Sequence, residues 1–252
     1  ITENGYANSK GAAIDLPALT RQAVAAKRSI APDAQLPALT SQRGFETQVY
    51  FANYSTLMGA ERMVADGRKP LVLNFANGTN VGGGFLYGAL AQEENLCRNS
   101  NLYPTLLNDE MYTYNQSQPY AKSSDWAILS PGVTVFRDDA GTLLETPWQM
   151  DVITCAAPIA SAMQAETARS LMRQRIERVL LIAASFGYTN LVLGAWGCGA
   201  FGNDPISTAA DFKTAIEGSF DGYFDHILFA ITDWRPNHSM LRTFAGVFGA
   251  VL

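Results

Sequence analysis

The chain has 252 residues, 48% apolar and 16% charged, with a formal net charge of −5. That is enough material for a sizeable core in one large domain or two small ones, and it excludes general nucleic-acid binding, which needs a surplus of Lys and Arg to meet phosphates. No apolar run approaches the ~20 residues that cross a bilayer, so no membrane role is expected. Ile1–Gly5 show neither the basic start nor the apolar stretch of a secretory leader. Three cysteines (Cys97, Cys155, Cys198) and two histidines offer neither a disulfide framework nor a zinc site. The expected setting is the cytoplasm.

Residues 1–45 are polar and dotted with Pro, Ala and Ser, and read as a peripheral N-terminal extension with one short helix near Pro17–Lys27. From Thr47 the texture changes. Thr47–Asn53 is β-rich, and Thr56–Asp66 carries a helical pattern stopped by Gly67. Leu71–Phe75 is a buried strand, apolar except for Asn74, and Asn77–Gly88 is a Gly-rich loop. Ala89–Cys97 reads as helix, Trp126–Phe136 as one or two strands broken by Pro131-Gly132, and Val152–Ala156 as a further strand. In Ala165–Phe186, Met172, Ile176, Val179, Leu180 and Ala183 fall on one face of a 3.6-residue period, and Gly187 follows as a helix stop. Asn190–Leu193 is a short buried strand. Ile206–Glu217 is a helix opened by Pro205, His226–Ile231 is the last strand, and a helix closes the chain. Strands alternating with helices predict an α/β sandwich with a partly parallel sheet. With no repeat, long linker or low-complexity tract, one such domain is expected.

In sheets of this class ligands bind beyond the carboxyl ends of the strands. Two Gly-rich loops follow strands there, Asn77–Gly84 and Gly194–Asp204. Glycines let successive N–H groups converge on an anion, so the pair suggests a ligand with two phosphates, although either loop alone is equally well an ordinary tight turn. Gly197, Gly199 and Gly202 satisfy G-x-G-x-x-G, but Asn203-Asp204-Pro205 separates them from the next helix, which argues against a dinucleotide fingerprint. No P-loop occurs.

The candidate chemistry follows the first loop, at Gln92-Glu93-Glu94. Neighbouring helix residues point about 100° apart, so one carboxylate can hold a ligand hydroxyl while the other faces the bond being cut. Glycoside cleavage needs a carboxylic acid for the leaving oxygen and stabilisation of an oxocarbenium-like centre. On pattern alone, adjacent glutamates are as readily a solvated helix face.

Phe75-Ala76-Asn77, then Gly82-Gly83-Gly84, a seven-residue spacer and Gln92-Glu93-Glu94 together resemble the signature of the poly(ADP-ribose) glycohydrolases, and the second loop resembles the diphosphate loop of macrodomains, in the compact bacterial form. The resemblance covers about residues 45–250. It implies a three-layer α/β/α macrodomain with a mixed, mostly parallel central sheet over 46–252, the extension 1–45 packed on it, and hydrolysis of ribose–ribose bonds mainly from the polymer's free end. It implies that Glu94 is the acid and then the base, with Glu93 on the ribose hydroxyls and Asn77 on the terminal ribose. Gly82, Gly83, Gly84 and Gln92 would bind the ADP-ribose unit on one side. Gly197, Cys198, Gly199, Ala200 and Phe201 would wrap its diphosphate and order its ribose on the other. An acid of this kind works best when burial or a nearby negative charge strengthens its hold on the proton. Glu93 and the substrate phosphates are the expected sources of that charge.

No cofactor or metal is expected. His226 and His238 have no ligand partner at a sensible spacing, and Cys198 reads most simply as a small residue tolerated between glycines. The expected partners are poly(ADP-ribose) and proteins carrying it. The alternatives are a non-catalytic ADP-ribose reader, which would not need the Gln-Glu-Glu triplet, and a mono-ADP-ribosyl hydrolase.

Overall fold

The computed structural model describes residues 4–39, 44–119 and 121–252. A small antiparallel ribbon, β1 (Tyr6–Ala7) and β2 (Ala13–Ile14), leads into α1 (Leu16–Ala26) and β3 (Arg28–Ile30). Then come β4 (Gln48–Ala52), α2 (Thr56–Ala65), β5 (Pro70–Ala76), α3 (Gln92–Asn99), α4 (Leu102–Leu106) and α5 (Glu110–Ser117). The second half holds β6 (Ala127–Arg137), β7 (Leu143–Ala156), α6 (Ala165–Ser185), β8 (Asn190–Leu193), α7 (Pro205–Glu217), β9 (His226–Ala230) and α8 (Ser239–Phe248). No helix among the described residues is long and apolar enough to cross a membrane.

Seven strands form one sheet in the order β3-β6-β7-β5-β8-β9-β4. The run from β7 to β4 is parallel, and β6 and β3 add antiparallel strands at one edge. Alternate residues of each strand feed opposite cores, as the period of two requires. Leu71, Leu73, Leu191, Leu193, Ile227 and Phe229 meet α6, α7 and α8, while Val72, Val192 and Leu228 meet α2, α3 and α4. This is the three-layer α/β/α arrangement with a mostly parallel sheet.

The helix ends follow from local chemistry. Ser55 caps α2 by accepting from Met58 N, and Asp204 caps α7 by accepting from Ser207 N with Pro205 in the first turn. The chain leaves α2 and α6 through Gly67 and Gly187, both at positive φ.

Four differences from the sequence reading have physical reasons. β3, within the segment read as a peripheral extension, is an edge strand of the main sheet, and three residues with one buried side chain carry no readable period. β7 begins nine residues earlier than expected, because its first half is exposed or half-buried and held by backbone pairing with β6 rather than by burial. β6 runs unbroken through Pro131-Gly132, where a register shift absorbs the proline. Finally, α3 starts at Gln92 rather than Ala89. A short 3₁₀ turn at Phe85–Tyr87 ends at left-handed Gly88, and Ala91 is extended.

Candidate active site

The site lies at the carboxyl ends of β5 and β8. β8 pairs with β5 only as far as Val72. Just beyond, Gln92 replaces it: Phe75 N donates to Gln92 Oε1 (2.8 Å), and Gln92 Nε2 donates to Leu73 O (2.8 Å) and Thr56 Oγ1 (3.1 Å). The amide expected to bind ligand is thus committed to the protein. It lines the cavity described below, but its work is to fix the first turn of α3 against β5.

That turn presents both glutamates, each buried, Glu93 at 3% exposure and Glu94 at 8%. Glu93 Oε2 accepts from Asn77 N (2.7 Å) and Oε1 from Asn74 Nδ2 (3.3 Å). Asn74 also donates to Thr154 Oγ1 (3.2 Å), its register neighbour on β7. Glu94 Oε1 accepts from Gly84 N (2.9 Å), while Oε2 has no partner among the described residues. One carboxylate is therefore held at both oxygens, the other at one.

Burial pushes the Glu93 carboxyl up to about 8; the Asn77 N–H and Asn74 amide oppose this, and the nearby Glu94 adds to it. Glu93 thus keeps its proton at neutral pH, so the negative charge expected of it beside Glu94 is absent there, and the substrate's phosphates are left to bring one. The consequence for stability has a definite sign. The folded chain holds this proton up to about pH 8 and the unfolded chain only to the ordinary 4.5, so the stability linked to it is complete below 4.5 and is lost as pH rises towards 8. Glu93→Gln is expected to remove that slope. Thermal melts from pH 5 to 9 should show the wild type losing several degrees relative to the variant; parallel curves would contradict the burial argument.

The two glycine loops do different work. In the first, Gly83 (φ 62°) passes so close to the glutamates that a Cβ would overlap Glu94 Oε1 and lie 3.0 Å from Glu93 Oε2. Asn77 Oδ1 accepts from Thr79 N and Asn80 N (2.9 Å each), Gly83 N bonds to Asn80 O, and the Asn77 and Gly84 N–H groups serve the carboxylates. In this loop the Asn77 and Gly84 N–H groups are thus taken up by the protein's own acids. Gly83 lies against both acids, Gly82 faces Tyr103 and Cys97, Gly84 faces Ala89, and none of the three is in the cavity wall.

The second loop faces the acids across a cavity of about 390 Å³ whose wall includes Asn77, Glu93, Glu94, Gly197, Gly199, Ala200 and Phe201. Asn203 fixes it, donating Nδ2 to Pro158 O (2.8 Å) and Gly197 O (3.1 Å). Gly197 (φ 72°) has no room for a Cβ beside that amide, whereas Gly199 is open. The N–H groups of Gly197, Gly199, Ala200 and Phe201 make no hydrogen bond among the described residues. Cys198 departs from expectation. Its N–H bonds to Ala195 O, its Sγ approaches Trp196 O, and burial pushes the thiol up to about 12. It packs against the core side of the loop, not in the cavity wall.

Asn74 and Asn203 are the functional residues not singled out from sequence. Asn74 carried a signal, as the lone polar residue in a buried strand; Asn203 carried none, because nothing in its loop shows that its amide bridges Gly197 O and the distant Pro158 O.

Comparisons with known proteins agree with this geometry. The family model described as the catalytic domain of microbial-type PARG matches residues 1–138, just over half of the chain. Poly(ADP-ribose) glycohydrolase (PARG) from Thermomonospora curvata is 36% identical with a TM-score of 0.88, covering 98% of this chain and 94% of that one. The same protein bound to the inhibitor ADP-HPD is 37% identical at a TM-score of 0.87, covering 97% and 93%. The Deinococcus radiodurans enzyme in complex with ADP-ribose is 37% identical at 0.84, covering 92% and 98%. No curated protein matches the chain. A buried glutamate pair facing an anion-ready loop, a family match from residue 1 and likeness along nearly the whole length together place this chain in the microbial-type poly(ADP-ribose) glycohydrolase family.

Proposed function

We propose that Glu94 moves the proton in this poly(ADP-ribose) glycohydrolase, and that Glu93 holds the ribose beside the cut bond. The chain hydrolyses the ribose–ribose O-glycosidic bond and releases ADP-ribose. The observation that carries the assignment is the asymmetry of the pair: Glu94 keeps one oxygen unpartnered among the described residues, whereas both Glu93 oxygens are held. Glu94 protonates the 2′-oxygen of the departing unit as the ribosyl C–O bond breaks. It then takes a proton from the water that attacks the ribosyl cation, so one carboxylate serves as acid and base in turn. Glu93, neutral below about pH 8, offers its O–H to a ribose hydroxyl.

The diphosphate lies on the N–H groups of Gly197, Gly199, Ala200 and Phe201, which need no lysine to hold an anion. Phe201 covers the terminal ribose, and Asn77 reaches it with Nδ2. The adenosine end extends into an adjoining cavity of about 680 Å³ that shares Phe75, Ala91, Gln92, Ala195 and Gly199 with the first. Cutting proceeds mainly from the polymer's free end, leaving the ADP-ribose attached to protein in place.

The test is incubation of poly(ADP-ribosyl)ated protein with the wild-type chain, reading free ADP-ribose and residual polymer length. The expected result is ADP-ribose as the main early product, with one unit remaining on the protein. Binding without release would make the chain a reader, and removal of the last unit would make it a mono-ADP-ribosyl hydrolase.

A further inference from the structure

Two cavities flank the one that holds the glutamates. The larger adjoins its loop side. The smaller, about 210 Å³, lies on the opposite side and meets the central cavity at Asn77 and Phe201, the two residues that border the terminal ribose. The diphosphate loop and the larger cavity account for the ADP-ribose unit that is released. With the terminal ribose placed between Asn77 and Phe201 as proposed above, the smaller cavity adjoins it through those two residues, neither of which borders the larger cavity.

Its chemistry differs from that of the other two. Besides Asn77, the wall presents four amide side chains, Asn80, Asn115, Gln116 and Gln118, with the hydroxyls of Thr79 and Ser123, and no charged side chain among the described residues. Amides offer both donors and acceptors, which suits ribose hydroxyls and a purine edge better than phosphate. The volume falls below the roughly 300–1,000 Å³ of pockets that enclose whole drug-sized ligands, so it takes a fragment of a unit rather than a complete one.

The wall is also held in place. Ala121 (φ 78°) and Ser123 (φ 52°) adopt left-handed backbone, uncommon for such residues. Arg175, 2% exposed, reaches from α6 to Lys122 O (2.9 Å) and Asp125, and Ile159 N donates to Ala121 O (2.8 Å). Gln116 Nε2 donates to Thr79 O (2.9 Å), and Asn115, 4% exposed, donates to Gly78 O (3.0 Å) while its Oδ1 has no partner among the described residues. A Cβ on Gly78 would collide with Ser123 Oγ, so the glycine lets this segment close onto the first loop.

We propose that this cavity is the leaving-side subsite, which binds the ribose and purine of the next unit of the polymer while Glu94 protonates that unit's 2′-oxygen. The proposal rests on the assignment of the cut bond given above. It makes Asn80 and Gln118 specificity-determining residues for polymer over any ADP-ribosyl compound without a second adenosine.

The experiment compares two substrates with the wild type, Asn80→Ala and Gln118→Leu. One is poly(ADP-ribose). The other is ADP-ribose carrying 4-nitrophenol on the anomeric carbon of its terminal ribose, which keeps the bond type and the released unit but has no adenosine on the leaving side. Each variant is expected to raise KM for polymer about tenfold, the scale of a lost hydrogen bond, and to leave kcat/KM for the nitrophenyl compound within about twofold. Both side chains lie at the surface or half-buried, so melting temperatures should match the wild type. Equal losses on both substrates, or no loss on either, overturn the subsite. A wild-type chain that cuts neither substrate overturns the bond assignment as well, and is distinguished by the absence of any activity to compare.

Discussion

Glu94→Gln is expected to lower kcat for ADP-ribose release by at least about a hundredfold, the low end of what general acid–base catalysis contributes, with little change in affinity for ADP-ribose. The glutamine is nearly isosteric, and its carbonyl oxygen still accepts the Gly84 N–H that holds Glu94 Oε1 at 2.9 Å. What it lacks is a proton to give and a lone pair basic enough to take one from water. Glu93→Gln should fail differently. Its side-chain NH₂ would face either the Asn77 N–H or the Asn74 amide, both donors to Glu93, so the ribose seat is disturbed and KM rises along with the fall in rate. Steady-state kinetics on polymer and calorimetric binding of ADP-ribose separate the two. If Glu94→Gln retains kcat within about threefold while Glu93→Gln abolishes it, the roles are reversed.

Gly83→Ala should inactivate the enzyme nearly as completely without unfolding it. A Cβ there would overlap severely with Glu94 Oε1 and press on Glu93 Oε2 at 3.0 Å. The obstruction is the free end of a side chain, so the fold has a cheap remedy: the carboxylate moves. Displacement of about 1 Å in a catalytic group is worth on the order of a hundredfold in rate. The remaining cost is the strain of a left-handed alanine, roughly 1–2 kcal/mol, or a few degrees in Tm. Gly88→Ala supplies the control. Gly88 is also left-handed (φ 85°), but nothing lies within 4 Å of where its Cβ would be. It should show the same small loss in Tm and near-normal turnover. Similar kinetics in the two variants would mean that Gly83 serves only the backbone.

These expectations show which parts of the site could be read from the sequence. The glutamates and both loops were visible as motifs, and the strands that carry the loops were visible because Leu71–Phe75 and Asn190–Leu193 are short apolar runs. Three things were not. A glycine loop reads the same whether its N–H groups face a ligand or a carboxylate of the same chain, so the first loop's partners, Glu93 and Glu94, emerge only once α3 is folded against β5. Gln92 looked like a ligand group because it stands beside the glutamates; its bonds to Leu73 O and Phe75 N depend on β8 pairing with β5 no further than Val72. Cys198 sits between two glycines of the loop, but the turn there directs its thiol inward. In the scaffold, β3 and the first half of β7 escaped notice because hydrogen-bond pairing, not burial, defines them.

The four N–H groups of the second loop bear on how polymer is first encountered. They are fixed dipoles, whose attraction fades within a few ångströms, and they belong to a chain of net charge −5 facing a polyanion. At the distances where diffusion brings the two together, the long-range field opposes approach; attraction begins only when a chain end enters the cleft. Added salt therefore screens a repulsion, and association should quicken with ionic strength, the reverse of the behaviour of proteins that grip phosphate with lysines. Release between cuts, with ends found by collision, is the expected behaviour.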